Sequence, residues 1–154
     1  MLSTVHKAAA ALATATIATF WISTLFSEIF LDHTAITAVK TAIPYGFFIL
    51  IPAMATTGVT GAKLAKGRKG GVLGAKSKRM PIIAANGILI LIPAALFLST
   101  KAQAGSFDTT FYAVQVFELL AGATNLTLLG LNIRDGRKLT AGKRRRATTQ
   151  RKNV

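Results

Sequence analysis

The chain has 154 residues, of which 51% are hydrophobic, with a formal net charge of +14 and a mean hydropathy of +0.48. Long apolar blocks alternate with basic clusters, a segregation that is typical of membrane proteins and not of soluble basic domains. Because the chain contains no cysteine, a disulfide framework, a thiolate metal site and a cysteine nucleophile are excluded.

Four apolar windows approach the ~20 residues that a membrane-spanning helix needs. They predict helices near residues 8–31, 41–62, 80–100 and 109–133. Glu28 and Glu118 are the charged residues inside these windows. We expect an all-α integral membrane protein whose four helices form an up-down-up-down bundle within residues 1–133. A basic loop at residues 63–79 and a basic tail at residues 134–154 complete the predicted organisation.

Basic residues are distributed unevenly between the connections. Seventeen of the 19 Lys and Arg residues lie at Lys7, in the loop 63–79 or in the tail 134–154, whereas only Lys40 and Lys101 lie in the two other connections. Since Lys and Arg are enriched in cytoplasmic loops, this asymmetry predicts a bacterial inner-membrane protein with both termini in the cytoplasm.

Proline and capping residues punctuate the predicted helices. Pro81 is expected at the start of the third helix, and Asp108 is expected to cap the fourth. Pro52 and Pro93 each stand in an Ile-Leu-Ile-Pro-Ala segment near the middle of a helix. Each removes a backbone hydrogen bond and should bend its helix, so we expect a small cavity at their common depth.

The last window carries polar residues at steps of three and four, which a helix places on one face. The series is Gln115, Glu118, Gly122, Asn125, Leu129 and Asn132, and its polar members form a polar seam: Gln115, Glu118, Asn125 and Asn132. A charge at the bilayer centre costs about 2.5–3.5 kcal/mol on insertion scales, so the seam should face protein. Asn86 lies at the depth of Asn125, and Ser23 at the depth of Glu118, which makes contacts between helices plausible. Glu118 is either a hydrogen-bonded structural group or a proton-carrying or ligand-orienting carboxyl.

Glu28 lies near the outer boundary of the first helix, on the same face as Trp21 and Thr24. An interfacial acid beside an aromatic residue is usually an anchor with its carboxyl group in water. A chemical role for Glu28 is the alternative.

The two histidines lie at opposite ends of the first helix, about 40 Å apart, so His6 and His33 do not share one haem. A single haem b held by His6 and Met80 near the cytoplasmic face is possible, and a simple interfacial role for His6 is the alternative. The residue pattern contains no metal-ligand motif.

Several segments carry a family resemblance. Val-His-Lys-Ala-Ala-Ala-Ala-Leu at residues 5–12, with Phe20-Trp21 and Leu31-Asp32-His33, resembles the first helix of the four-helix protoporphyrinogen oxidases and the copper-resistance-D-like membrane domains. In those oxidases the corresponding histidine is haem-linked, so the resemblance implies a haem-linked role for His6. The remaining helices are similar in style to bacterial inner-membrane proteins of unassigned function.

The basic residues of the central loop and the tail are predicted to contact anionic lipid headgroups, not nucleic acid. They are Lys63, Lys66, Arg68, Lys69, Lys76, Lys78, Arg79, Arg144, Arg145 and Arg146. The glycines of this loop do not form a phosphate-binding loop, because the Gly-Lys-Ser/Thr ending is absent.

The short loops leave no soluble domain for chemistry, and the Gly and Ala faces of the helices suit contacts between helices. We therefore expect a non-enzymatic accessory or assembly component of a membrane complex, which contacts lipid and another membrane protein or a second copy of the chain. The first alternative is a one-haem or quinone-linked membrane oxidoreductase that uses His6 and Glu118. The second is a proton or solute conduit along Gln115, Glu118 and Asn125.

Overall fold

The computed structural model describes the backbone of residues 1–65 and 71–152, and the side chains of residues 1–65, 78–138 and 141. The described residues form α1 (Leu2–Phe30), α2 (His33–Ala65), α3 (Gly71–Asn86), a π-helical segment (Gly87–Leu91), α4 (Ile92–Gln103) and α5 (Thr109–Lys152). No strand occurs among them, which confirms the predicted all-helical class.

Four helical spans are long and apolar enough to cross a membrane. They are Leu2–Phe30, His33–Ala65, Lys78–Gln103 and Thr109–Lys138. The third span joins α3, the π segment and α4 into one run of helix. The four apolar windows of the sequence therefore correspond to four helices of membrane-spanning length.

The connection between α1 and α2 is shorter than predicted. α2 begins at His33, not near residue 41, and the N–H of Ala35 donates to Asp32 Oδ1 over 2.9 Å. Asp32 therefore caps α2. Lys40, which we predicted in an outer connection, is a helical residue.

The predicted basic loop and tail also differ from the structure. α3 begins at Gly71, so most of the expected loop 63–79 is helical, and Pro81 lies inside a helix instead of at its start. Helix α5 runs on to Lys152, so the predicted tail 134–154 is largely a continuation of the last helix. Polar helix-forming residues such as Lys and Arg extend a helix beyond its apolar part, which an apolar window does not detect.

The helices pack as a four-sided arrangement. α1 packs along α2, α2 packs against α4, and α5 packs against α1 and the third span. Among the described residues, the backbones of α1 and the third span do not approach each other closely, and neither do those of α2 and α5. α2 and α5 therefore lie on a diagonal.

The two ends of this arrangement are built differently. At the end with the short connections, which we call the loop end, a core cluster joins three spans: Ile36, Leu98, Ala102 and Phe111. The end that holds Met1 and Arg137 we call the terminal end. Between the two, Ile17, Ile83 and Leu129 form a second cluster, with Met54 and Met80 packed against it.

Proline shapes the third span more than the second. The π segment ends two residues before Pro93, whose missing N–H disturbs the regular hydrogen-bond pattern of the preceding turn. Pro52 lies within α2, which remains α-helical through it.

Asp108 caps α5 as predicted. The N–H of Phe111 donates to Asp108 Oδ1 over 2.9 Å, and the ammonium of Lys101 pairs with the other oxygen. The hydrogen bond from Lys101, and then that from the Phe111 N–H, hold the pKa of Asp108 below its ordinary value.

Replacing Asp108 with asparagine keeps a capping oxygen and removes the charge. A carboxyl whose folded-state pKa is lowered contributes stability above its unfolded pKa, about 3.9, and this contribution is lost as pH falls through the folded pKa. We therefore expect Asp108→Asn to lower the Tm at pH 7 and the difference from the wild type to shrink as pH falls below about 4. Thermal unfolding in detergent measures this. A Tm difference of the same size at pH 3 and pH 7 would contradict the assignment.

Candidate functional site

The predicted polar seam of α5 faces the other helices. Gln115, Asn125 and Asn132 are 3%, 2% and 5% exposed, and Leu129 of the same face is buried. The seam prediction is therefore confirmed in its direction. The interior of the helix arrangement carries polar groups along the length of α5.

A buried ion pair crosses the diagonal between α2 and α5. Lys40 Nζ lies 2.7 Å from Glu118 Oε2, with the Lys40 side chain 1% and the Glu118 side chain 12% exposed. Lys40 was expected in an outer connection, and Ser23, at the depth of Glu118, was the expected contact of that carboxyl group. The Ser23 hydroxyl donates to the carbonyl of Phe20, and Lys40 is the partner of Glu118. An ion pair forms here because an apolar interior penalises either charge alone.

Two further polar groups surround this pair. Gln115 Nε2 lies 3.5 Å from Glu118 Oε2, and the charges of Lys40 and Glu118 both act on the Glu28 carboxyl. Glu28 Oε1 and Gln115 Oε1 are buried without a hydrogen-bond partner among the described residues. Glu28 is therefore half-buried beside the ion pair, and the expectation of an anchor with its carboxyl group in water is wrong.

The predicted contact between the asparagines is present. Asn86 Nδ2 donates to Asn125 Oδ1 and to the carbonyl of Ala121, both over 2.9 Å. Asn125 Nδ2 donates to the carbonyl of Ile83 over 3.4 Å. These bonds join the third span to α5 near the middle of the helices.

Two side chains of α1, Trp21 and His6, form hydrogen bonds to neighbouring helices through their ring nitrogens. Trp21 Nε1 donates to the carbonyl of Leu119 over 2.9 Å, and the ring lies against Gly122, where an added Cβ would come within 2.9 Å of Trp21 Cδ1. This close approach requires the glycine. Nearer the terminal end, His6 Nδ1 lies 3.0 Å from Thr60 Oγ1 of α2.

The proton on the His6 ring is assigned by its neighbour. The Thr60 hydroxyl has one proton and donates it to the carbonyl of Thr56 over 2.5 Å. Nδ1 of His6 is therefore assigned a proton and donates to Thr60. His33 lies at the opposite end, stacked on Phe107 with ring centroids 4.0 Å apart, so the two histidines do not meet.

A large cavity occupies the space between the helices. Its volume is about 1690 Å³, and it is lined by all four spans. Its walls reach Lys7 and Arg137 at the terminal end, and Trp21, Thr24 and Glu118 toward the loop end. Leu50 and Ile51 before Pro52, and Leu91 and Ile92 before Pro93, line it as well. The cavity expected beside the two prolines is thus present and far larger than expected.

The walls of this cavity are mainly aliphatic, with a few polar groups. His6 and Met80, the predicted haem ligands, both line it. Asn132 Nδ2 lies 3.5 Å from Met80 Sδ, and Asn132 Oδ1 is buried without a partner among the described residues. The cavity is therefore a long, mainly apolar space with polar side chains of α1 and α5 on its walls.

The predicted lipid-contacting residues divide into three groups. Lys63 and Lys78 are exposed, as headgroup contact requires. Arg79 is half-buried, with Nη1 2.6 Å from Asp135 Oδ2, a carboxylate of α5. The remaining seven lie outside the described residues or side chains: Lys66, Arg68, Lys69, Lys76, Arg144, Arg145 and Arg146.

The described residues contain no group of three or more His, Cys, Asp or Glu side chains that could hold a metal ion. Comparisons with protein-family models, curated proteins and solved structures found no match to this chain. Its function is therefore argued from its own residues.

Removing one partner of the buried ion pair should leave an uncompensated charge in the interior. We expect Lys40→Met and Glu118→Gln each to destabilise the protein by about 3–5 kcal/mol, and the double variant to lose less than the sum. Reversible unfolding in mixed detergent micelles measures this coupling. Lys101→Met, which removes a more exposed pair, is the control and should cost at most about 1 kcal/mol. Additive losses at Lys40 and Glu118 would show that the pair does not hold α2 to α5.

Proposed function

We propose that this chain is a multi-pass protein of the bacterial inner membrane, an up-down-up-down bundle with both termini in the cytoplasm. Four helices of spanning length and the short connections at the loop end support this layout. The burial of Lys40 strengthens the charge argument, because Lys101, in the last turn of α4, is then the one basic residue outside the interior near the loop-end connections. Basic residues near cytoplasmic ends of spans set orientation.

The topology has a direct test, because the chain has no native cysteine. We expect a membrane-impermeant maleimide to label Ser106→Cys in intact spheroplasts, and to label Lys63→Cys only after the membrane is permeabilised. Both positions are in or near connections, one at each end. Labelling in the reverse order would invert the layout.

For function, we propose a non-enzymatic accessory protein that holds an apolar molecule between its helices. The cavity carries this proposal. Small-molecule sites measure about 300–1,000 Å³ and are mainly apolar with a few placed polar groups. At about 1690 Å³ this cavity exceeds that range, which favours a ligand larger than a drug-sized molecule.

The polar groups near the cavity are engaged in contacts that hold the helices. Glu118 is paired with Lys40, Asn125 is bonded to Asn86, and His6 is bonded to Thr60. Binding and positioning therefore suit these residues better than acid–base chemistry, which needs a group poised toward a substrate. A conduit along Gln115, Glu118 and Asn125 gains less support for the same reason.

A second candidate, the haem- or quinone-linked oxidoreductase, is favoured by one observation. His6 and Met80 line the same cavity, and the contact of Nδ1 with Thr60 orients the His6 ring. A histidine nitrogen and a methionine sulfur are established ligands of haem iron, so these two residues would hold the group. When bound, haem would supply one-electron chemistry.

Anionic lipids, another membrane protein or a second copy of the chain are the proposed partners. Exposed apolar residues such as Phe48 and Leu89 suit contact with lipid or with a neighbouring helix. Stoichiometric co-purification of a membrane protein after mild detergent extraction would support the accessory role.

Filling the cavity should expel its ligand. Gly58 lines the cavity, and an added Cβ there would meet nothing within 4 Å, so Gly58→Phe projects into the space without a clash. Gly130 is exposed, equally unobstructed and absent from the cavity lining, which makes Gly130→Phe the matched control. Mass spectrometry of the small molecules that co-purify should show several-fold less ligand in Gly58→Phe than in the wild type or the control.

The same samples separate the two candidates. A haem absorption band that is lost in His6→Ala would favour the oxidoreductase. Equal ligand in Gly58→Phe and Gly130→Phe would overturn the proposed binding function.

A further inference from the structure

We propose that the ligand of the cavity is an amphiphile with an anionic head and a long hydrocarbon chain, with its head at the terminal end between Lys7 and Arg137. This inference deepens the proposed function and rests on it. Three observations carry it: the charges at the two ends of the cavity, its length, and its lateral opening.

The charges favour an anionic head at one end. Lys7 and Arg137 line the cavity at the terminal end, and both are exposed. Among the described residues, Glu118 is the one acidic residue that lines the cavity, and it lies at the far end paired with Lys40. Asp135, the nearest acid along α5, is bonded to Arg79 and is not part of the lining. The terminal end therefore presents two positive charges to an incoming head.

The contact of Trp21 with Gly122 shows that both cations lie at one depth. Lys7 precedes Trp21 by 14 residues and Arg137 follows Gly122 by 15, so each lies about 21–23 Å from that contact at 1.5 Å per residue. This distance exceeds half of the ~30 Å hydrocarbon core of a bilayer. A chain that extends from the cations to Trp21 is therefore longer than one leaflet is deep.

The cavity opens sideways between α2 and the third span. Ile51, Val59 and Ile88 all line it, yet they are 52%, 56% and 62% exposed. α2 packs closely against α4 but much less against α3, so the helices separate toward the terminal end. In a membrane this gap faces hydrocarbon, which gives an aliphatic chain a route into the cavity without passing through water.

Trp21 provides the readout, since it is the single tryptophan and lies at the far end of the cavity. In neutral detergent, we expect stearate brominated near its methyl end to quench its fluorescence saturably, and unbrominated stearate to reverse the quenching. The methyl ester of the same chain should bind more weakly, because it lacks the charge. Phosphatidylglycerol with the same brominated chains distinguishes a membrane lipid from a free acid as the source of the anionic head.

Variants test the position of the head. Lys7→Gln/Arg137→Gln should weaken the binding of the brominated acid by about tenfold to thirtyfold, given the attraction of basic residues for anionic headgroups. Lys63→Gln/Lys78→Gln removes two exposed cations that do not line the cavity and should leave binding unchanged.

The outcomes separate this inference from the proposed function. Equal binding of acid and ester in the wild type and both double variants, with loss in Gly58→Phe, would overturn the anionic head and retain the apolar ligand. The absence of saturable quenching by any of the three probes, with no ligand retained on purification, would overturn both.

Discussion

The loop end of this protein depends on one constraint, the ion pair between Lys40 and Glu118. α2 and α5 lie on a diagonal, where their backbones do not approach closely, so two long side chains span the distance between them. Neither charge is tolerable alone in an apolar interior, whereas together they satisfy each other. Glu28 and Gln115 add polar atoms at the same level. The loop end therefore contains the buried charges of Lys40 and Glu118 as well as a core of aromatic and aliphatic side chains.

The terminal end is held together differently. There the helices are joined at a few points, the bond between His6 and Thr60 and that between Arg79 and Asp135, while the space between them stays open. The hydrogen bonds of Asn86 to Asn125 and of Trp21 to Leu119 lie between the loop end and the terminal end. An ion-paired end thus supports an open end, and this division suits the binding function proposed above.

The sequence predicts those features that depend on the position of a residue along its own helix. Spacing places the seam of α5 on one face, rise per residue places Asn86 level with Asn125, and residue type assigns the cap at Asp108. It does not predict contacts that depend on how helices are rotated about their axes. Lys40 looks like an orientation signal because its partner, Glu118, is 78 residues away, and Glu28 looks like an interfacial anchor for the same reason. The size of the cavity is a property of all four spans and has no local signal.

The π segment at Gly87–Leu91 changes the direction in which the side chains after it point. A π turn holds one more residue than an α turn, so the faces after it are rotated by about 100° relative to those before it. Asn86 and Leu98 are 12 residues apart, which a regular α-helix would rotate by about 120°, and the π segment reduces this angle to about 20°. Asn86 before the segment therefore bonds to α5, and Leu98 after it enters the core with Phe111 of the same helix. Two stretches of sequence whose helical phases differ thereby present one continuous inward face.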